Sequence, residues 1–250
     1  MTRTIALFNQ SGGVGKTTLT MNLGYHLAEM GRRVLLVDMD PQGSLTVFMG
    51  VDPYEQERTI YDAIVRKQSL PVLRDIHQMD LVPANINLSK AEQELSSAVM
   101  REQKLRKALE PVLSDYDFLL IDCPPSLGVL SIMSLVAATH ILIPIQTEFK
   151  ALNGTRLVLQ TFLEVVEAAE LDLKIAGFVP TMFDARTAQG NDSLKAIEKD
   201  LPTIGTVHPA IPRMTDFVNA SQANLPLALY KPKKRIIQIL QSIAKSMDML

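Results

Sequence analysis

The sequence predicts a single α/β domain over residues 1–250, with a mostly parallel, doubly wound central sheet flanked by helices on both faces. Apolar segments rich in branched residues alternate with helix-period segments along the whole chain, which is typical of such a sheet. With 250 residues and 47% hydrophobic content, the chain can bury a sizeable core. It contains no internal repeat, low-complexity tract or linker long enough to divide it.

The predicted elements alternate in order along the chain. Strands are expected at the short runs of branched and aromatic residues, at 3–9, 33–38, 78–83, 116–122, 139–145, 174–181 and 203–208. Helices are expected where apolar residues recur at helical spacing, at 16–30, 59–67, 86–96, 101–113, 128–137, 150–169, 187–200, 214–221 and 232–248. Glycine and proline mark several of the proposed boundaries, at Gly31, Pro111, Pro124, Pro144 and Pro202.

Charge and cysteine content narrow the class of protein. The net charge of −2 excludes a uniformly basic nucleic-acid-binding protein but leaves a local basic patch open. The single cysteine, Cys123, rules out an internal disulfide and suits a reducing compartment. No apolar run approaches the length of a membrane span, and the N-terminus lacks a signal-peptide pattern, so we expect a cytoplasmic protein.

A phosphate-binding loop follows the first predicted strand. Residues 9–18 read Asn-Gln-Ser-Gly-Gly-Val-Gly-Lys-Thr-Thr, and the order of strand, glycine turn and helix is the context that such a loop needs. Glycines let backbone N–H groups and the helix N-terminus approach an anion. A glycine turn can also open a helix that binds nothing, but the spacing of these features favours a nucleotide site. The predicted nucleotide-binding residues are Ser11, Gly12, Gly13, Val14, Gly15, Lys16, Thr17 and Thr18.

Two side chains of this loop carry the expected chemistry of a P-loop NTPase. Lys16 supplies a positive charge at the β- and γ-phosphates of ATP, which makes it a candidate catalytic residue. The Thr17 hydroxyl is suited to Mg²⁺.

Acidic residues follow two later strands, at the sheet edge where ligands of such folds bind. Asp38 and Asp40 follow an apolar strand and are candidates to hold Mg²⁺ or orient water, although Asp and Pro also favour simple turns. Asp122 ends a second apolar strand, in the Walker B arrangement, and is expected to accept from a water bound to Mg²⁺. Cys123 beside it is expected to be a small packing residue.

These motifs resemble those of the ParA/MinD family of dimeric ATPases, from residue 3 to about residue 235. The loop is similar to the deviant Walker A pattern Lys-Gly-Gly-x-Gly-Lys-Thr, with Ser11 where the family has its signature lysine. Asp38-Met39-Asp40-Pro41-Gln42 resembles the family's Asp-x-Asp-Pro-Gln motif, which implies that Asp40 positions the attacking water. The segments around Met182 and Pro212 resemble those that enclose the adenine, although ordinary strand-end packing explains Met182 equally well.

The resemblance also suggests a substitute for the missing lysine. Residues 141–150 are similar to the family's Pro-x-Gln-x-Glu loop, with Lys150 where an aromatic or small residue is usual. In the family's nucleotide-sandwich dimers the signature lysine reaches the partner's phosphates, so Lys150 is a candidate catalytic replacement. A lone surface lysine is also commonly just solvated.

The resemblance implies a homodimer that forms on ATP, binds nucleoid DNA without sequence preference and is stimulated by an adaptor protein. Cations at 231–235, with Arg186 and Arg213, are candidates for the DNA contact, and a solvated helix start is the alternative. Asp216 stands where relatives commonly carry a cation, so their DNA residues do not transfer directly. MinD-type relatives bind membrane through their last helix, but the apolar spacing at 236–247 favours a core-facing helix, so membrane binding is the weaker prediction.

Ser11 suggests a branch of the family. A serine in place of the signature lysine resembles the McdA branch, which distributes carboxysomes along the nucleoid with the adaptor McdB. Two alternatives remain open. One is a plasmid or chromosome partition ATPase with a drifted loop, and the other is a P-loop metabolic enzyme, related to dethiobiotin synthetase, that acts on a small molecule.

The proposed replacement predicts unequal effects of two substitutions. Lys150→Ala is expected to reduce ATP hydrolysis and ATP-dependent dimerisation far more than Ser11→Ala, because only the first removes a cation from the strand-end edge. Hydrolysis assays and sedimentation with ATP measure both effects. Equally small effects of the two substitutions would contradict the replacement.

Overall fold

The centre of the molecule is one seven-stranded sheet. The computed structural model describes residues 2–148 and 151–250, with the side chains of 151–156 left out of the description. The strands are β1 (Arg3–Leu7), β2 (Val34–Asp38), β3 (Leu73–Ile76), β4 (Met79–Val82), β5 (Phe118–Asp122), β6 (His140–Gln146) and β7 (Lys174–Thr181). Their spatial order is β3-β4-β2-β5-β1-β6-β7, and every neighbouring pair is parallel except β3 with β4. The predicted mostly parallel α/β architecture is confirmed.

Helices cover both faces of this sheet. Within the described ranges they are α1 (Lys16–Glu29), α2 (Ser44–Phe48), α3 (Ile60–Ile64), α4 (Leu88–Glu94), α5 (Lys104–Leu109), α6 (Val129–Ala137), α7 (Ala151–Ala168), α8 (Ala188–Asp200), α9 (Thr215–Gln222), α10 (Leu227–Tyr230) and α11 (Arg235–Asp248). Two 3₁₀ segments, Arg101–Gln103 and Glu110–Asp115, flank α5. The single helix predicted at 101–113 is therefore broken into three pieces.

The predicted strand at 203–208 is wrong. This segment reaches the edge strand β7 for two hydrogen bonds only: Phe178 N donates to Thr206 O and His208 N donates to Phe178 O, both at 2.8 Å. Only one bridge, between Phe178 and Val207, results. Pro209 follows and has no N–H with which to extend the ladder.

The prediction also missed one strand. β3 is a four-residue edge strand whose two central residues, Arg74 and Asp75, are exposed. Short, charged edge strands lack the apolar run by which strands are recognised in a sequence. The short helices α2 and α10 were missed as well, since four or five residues are too few to show a helical period.

The two faces of the sheet carry separate hydrophobic cores. Every residue of the central strands β2 and β5 is buried, which explains their continuous apolar runs. On one face, α1 and α11 pack together, with Ile236, Leu240 and Ile243 of α11 buried. The last helix is therefore a core-facing helix, as its spacing predicts. No helix within the described part of the chain is both long and apolar enough to cross a membrane.

The register of the central strands brings the carboxyl ends of β1, β5 and β2 together. Leu7 at the end of β1 lies beside Asp122 at the end of β5, and Asp122 lies beside Asp38 at the end of β2. The segments that follow these strands contain the phosphate loop, Asp40 and the turn after Asp122. All three predicted motifs consequently share one edge of the sheet.

A close approach of α1 to the sheet generates a prediction about Gly24. A Cβ atom added there would lie 2.7 Å from Leu36 Cδ2 and 3.0 Å from Met79 Sδ. Gly24→Ala is expected to lower the free energy of unfolding by about 1–3 kcal/mol, measured in urea, because overpacking outweighs the better helix propensity of alanine. In a double-mutant cycle, Leu36→Ala should relieve part of that loss. Stabilisation by Gly24→Ala alone would contradict the close packing.

Candidate nucleotide-binding site

The backbone of the phosphate loop adopts conformations that glycine favours. Gly13 has φ 74° and Gly15 has φ 95°, both in the left-handed region. Gly15 caps α1, and no side chain satisfies the first N–H groups of that helix. Uncapped N–H groups at the start of a 14-residue helix form an anion-binding end. Ser11, Gly12 and Gly13 are exposed, so the loop faces solvent.

Asn9 anchors this loop, a role that the sequence analysis did not assign. Its buried side chain donates from Nδ2 to Pro144 O on β6 at 2.7 Å and accepts from Ser11 N at 2.9 Å. Its backbone carbonyl accepts a hydrogen bond from Lys16 Nζ at 2.9 Å. Its position directly between β1 and the glycines was the available signal. Asn9 thus ties the loop to the sheet and holds the side chain of Lys16.

Lys16 is a buried cation at the base of the loop. Its Nζ donates to Asn9 O and, at 3.0 Å, to Ser11 O. Burial lowers the pKa of Lys16, while the negative charges of Asp122 and Asp40 oppose that shift. Carbonyl oxygens compensate a buried ammonium only partly, so an anion bound in the loop would complete its environment.

Asp38 organises the turn that carries Asp40. Its Oδ1 accepts from Asp40 N at 3.1 Å, and its Oδ2 accepts from Thr46 N at 2.9 Å and Thr46 Oγ1 at 2.8 Å. Burial raises the pKa of Asp38 to about 6, and the Thr46 hydrogen bonds oppose that rise. Both carboxylate oxygens already have protein donors, which favours a positioning role over direct contact with Mg²⁺.

Asp40 is half-buried beyond that turn. Its Oδ1 accepts from Gln42 N at 2.9 Å, and its carbonyl accepts from Gly43 N at 2.9 Å, which holds the side chain in one orientation. Its charge acts on the pKa values of Lys16 and Asp122, so the predicted water-positioning residue lies close to the predicted phosphate and metal residues.

Asp122 carries an uncompensated oxygen in the interior. The residue is fully buried, its Oδ1 accepts from Thr20 Oγ1 at 3.4 Å, and its Oδ2 has no hydrogen-bond partner among the described residues. Burial and the neighbouring Asp38 raise the pKa of Asp122 well above its usual value, and Lys16 and the Thr17 hydroxyl only partly oppose that rise. A free buried carboxylate oxygen is a place for a cation or for water bound to one.

The residues at this edge fit Mg²⁺ bound together with a nucleotide. Among the described residues, no group of three or more His, Cys, Asp or Glu side chains is arranged to hold a metal. Mg²⁺ in nucleotide sites needs only one or two protein oxygens, since phosphates and water complete its octahedron. Thr17 and Asp122 are the residues that would supply such oxygens, and Asp38 lies beside Asp122 in the sheet.

A cavity of about 770 Å³ adjoins the phosphate loop. Four predicted nucleotide residues line it together: Gly15, Thr18, Met182 and Pro212. Met182 has φ 53°, a conformation uncommon for a residue with a side chain, at the point where the chain leaves β7. Phe183 N donates to Ile211 O at 3.0 Å, and this contact joins the two predicted adenine segments. The cavity is large enough for a base and its ribose.

Parts of this cavity were not predicted. Phe48 of α2 and Phe217 and Val218 of α9 line its far side. Thr181 Oγ1 donates to Val14 O at 2.8 Å, which joins the end of β7 to the phosphate loop. Neither helix carries a local sequence signal for nucleotide contact, because their contribution depends on packing between distant segments.

The structure corrects the predicted basic patch. Lys231 and Lys234 pair with the buried carboxylate of Asp216, at 2.6 and 3.3 Å. These contacts, that of Lys231 first, lower the pKa of Asp216. Arg186 pairs with Asp184 at 2.8 Å. Asp184 therefore neutralises Arg186, and Asp216 offsets one of the two charges of Lys231 and Lys234.

The remaining cations of that patch have no ion pair among the residues described. They are Arg213, Lys233 and Arg235, all exposed. Lys150, the predicted replacement for the signature lysine, lies outside the described residues. Its role stays a prediction.

Comparison with known proteins places this site in a family. The family model for an AAA domain, AAA_31, matches residues 2–175. Soj of Bacillus subtilis, a sporulation initiation inhibitor protein, is 39% identical over 248 residues, 98% of each chain. The chromosome-partitioning ATPase Soj of Treponema pallidum is 40% identical over 238 residues, 92% of this chain and 90% of its own.

Solved structures agree with these relatives. Cobyrinic acid a,c-diamide synthase from Mycobacterium smegmatis, with a bound ATP analogue and magnesium, has a TM-score of 0.88 at 35% identity, covering 99% of this chain and 94% of that one. McdA of Cyanothece has a TM-score of 0.90 at 24% identity, covering 99% and 100%, and shares the fold. The chain belongs to the ParA/MinD family of P-loop ATPases. It is an ATPase whose cofactors are ATP and magnesium.

The expected roles in ATP hydrolysis fall to a few groups. We expect Lys16 and the uncapped start of α1 to stabilise negative charge on the phosphates. We expect Asp40, held by its turn, to orient the attacking water, while the unpartnered oxygen of Asp122 remains available to a cation or its bound water. Magnesium, when bound, neutralises the charge that develops on the phosphate oxygens during transfer. Since phosphoryl transfer needs little covalent help, this positioning accounts for most of the catalysis.

The raised pKa of Asp122 predicts a conflict between stability and activity. Asp122→Asn is expected to raise the melting temperature at pH 8 and to abolish ATP hydrolysis, because it removes a buried charge that the active site needs. The folded-state pKa lies above the unfolded one, so wild type gains stability as the pH falls. The difference in melting temperature between Asp122→Asn and wild type should therefore become smaller toward pH 5.

Asp117 provides the matched control with the opposite sign. Hydrogen bonds from Arg33 lower the pKa of Asp117 to about 2, so the ionised form stabilises the fold. Asp117→Asn should lower the melting temperature at pH 8 and leave hydrolysis intact. Thermal melts from pH 5 to pH 8 measure both variants. A melting temperature lowered by Asp122→Asn across this range would refute the account of a strained carboxylate.

Proposed function

We propose that this ATPase is a positioning protein that dimerises on ATP, binds nucleoid DNA without sequence preference and is stimulated by an adaptor to distribute a cargo. The observation that carries the proposal is the juxtaposition of Lys16, Asp40 and Asp122 beneath an exposed phosphate loop. Phosphates held in an outward-facing loop are accessible to a second subunit, which supports a dimer closed over the nucleotide. Soj and ParA relatives of 39–43% identity support the same class of activity.

DNA contact is assigned to the cations that have no ion pair within the described residues. Lys233 and Arg235 stand at the start of α11, and Arg213 lies at the rim of the nucleotide cavity. This proximity offers a physical route by which nucleotide binding changes DNA affinity. Pairing of Lys231 and Lys234 with Asp216 fixes the backbone segment that presents Lys233.

Two cargoes are supported by different observations. Ser11 in place of the signature lysine supports carboxysomes, with an adaptor like McdB. The higher identity to chromosome-partitioning relatives supports a chromosome or plasmid and a centromere-binding partner. ATP hydrolysis measured with DNA and each purified adaptor in turn separates them: the cognate adaptor accelerates turnover, and the other leaves it unchanged.

A metabolic activity is the second candidate, favoured by the M. smegmatis structure named as a cobyrinic acid a,c-diamide synthase. Such an enzyme would hydrolyse ATP only while transforming a small molecule. Turnover that requires cobyrinic acid and ignores DNA would establish this candidate and refute the positioning proposal.

The DNA assignment predicts a defined salt dependence. With ATP, binding to a random-sequence duplex is expected to weaken at least about tenfold between about 50 and about 200 mM salt, since several phosphates are neutralised by cations. Lys233→Glu/Arg235→Glu should abolish binding, whereas the control Lys195→Glu/Lys199→Glu on α8 should retain it. Fluorescence anisotropy measures all three proteins. DNA binding that ignores salt, or fails with ATP, counts against the proposal.

A further inference from the structure

A second cavity, of about 720 Å³, lies between α3 and α5, outside the nucleotide site. We name it the cationic groove. It is lined by Ala63, Ile64, Lys67, Gln68, Ser69, Leu70, Val99, Met100, Lys104, Lys107, Ala108, Pro111 and Val112. These residues come from α3 and the segment after it, and from α5 with its flanking turns. None of them belongs to the phosphate loop, to the acidic residues at the ends of β2 and β5, or to the cavity beside the phosphate loop.

All the charged side chains that line this groove are positively charged. Lys67, Lys104 and Lys107 line it, and none of the lining residues is acidic. Two acids on the neighbouring helices α3 and α4 are already engaged within the described structure, and Glu102 and Glu110, which flank α5, do not line the groove. Asp62 accepts from Arg66 at 2.8 Å, and Glu94 accepts from the Tyr61 hydroxyl at 2.9 Å. On a chain whose net charge is −2, this local excess of cations is complementary to an acidic ligand.

The floor and rim of the groove are apolar. Ala63, Ile64 and Ala108 contribute small or aliphatic surface at its base. At the rim, Val99 is 88% exposed and Met100 is 48% exposed. Large apolar side chains that are exposed beside a groove mark an interaction surface, because they gain contacts only when a partner covers them.

The backbone at the rim is held in an uncommon conformation on both sides. Lys67 has φ 56° and Met100 has φ 54°, values that residues with side chains rarely adopt. Each lies in one of the two segments that form the groove. Local strain of this kind persists where the surrounding structure imposes it, and it clusters at functional surfaces.

We propose that the cationic groove docks an acidic amphipathic segment of a partner protein. Aliphatic side chains of that segment cover the floor and Val99, while its carboxylates meet the three lysines. DNA would use the lysines but would leave the apolar floor without a partner. The assignment rests on the proposed function only in taking the adaptor as the protein that carries this segment.

The test uses the full chain without ATP or DNA. The probe is a fluorescein-labelled helical peptide of about 20 residues, with Leu on one face and Glu on the other. Saturable binding in an anisotropy titration is expected. Lys104→Glu/Lys107→Glu should weaken it at least about tenfold, since two charge contacts become repulsive. The matched control Lys195→Glu/Lys199→Glu, which reverses two exposed lysines of α8, should bind as wild type does.

Two further measurements separate the components of the site. Val99→Ser should weaken peptide binding several-fold, because it removes apolar contact without changing charge. A peptide of the same composition with Leu spread around the helix should bind less well to wild type. ATP hydrolysis without partners should be unchanged in all three variant proteins, which shows that they are folded.

Several outcomes would overturn the docking site. They are absence of saturable peptide binding up to about 1 mM, equal binding by the Lys104→Glu/Lys107→Glu variant, and loss of DNA binding in that variant with peptide binding retained. The last result would make the lysines a nucleic-acid contact. Failure of the Lys233 and Arg235 experiment with peptide binding intact would count against the proposed function alone.

Discussion

The buried carboxylates Asp38 and Asp122 impose the constraint on which the rest of the site depends. They are register partners at the ends of β2 and β5, and both are inaccessible to solvent. Two like charges in the interior are unfavourable unless each finds compensation. Asp38 receives three hydrogen bonds from Asp40 and Thr46, whereas Asp122 receives one from Thr20 and its Oδ2 has no partner among the described residues. The fold therefore leaves a buried carboxylate incompletely compensated at the predicted site for Mg²⁺ and phosphate.

The compensation of Asp38 also connects distant parts of the chain. Thr46, which donates to Asp38, accepts a hydrogen bond from Ala84 N at 3.0 Å beyond the end of β4. The preceding Pro83 carbonyl accepts from Ile60 N at 2.9 Å, where α3 begins. The turn that carries Asp40 and α3, which lines the cationic groove, are thus joined by one series of hydrogen bonds.

Surface charge in this protein is decided by pairing as much as by composition. Asp216 forms ion pairs with both Lys231 and Lys234. Asp184 holds Arg186 in the same way beside the adenine cavity. In contrast, the lysines of the cationic groove face no carboxylate among its lining residues. The clustering of basic residues in the sequence pointed to residues 231–235 and not to the cationic groove, because the lysines of the groove come from two separate segments.

The sequence by itself determined the parallel α/β class, six strands and the identity of the phosphate loop with its acidic partners. These features are local: continuous apolar runs define buried strands, and glycines spaced around Lys16 define the loop. Tertiary structure alone decided that residues 203–208 form a single bridge and that α9 lines the cavity. Each of these depends on a partner supplied by a distant segment. The residue types within either segment do not indicate which other segment it will contact.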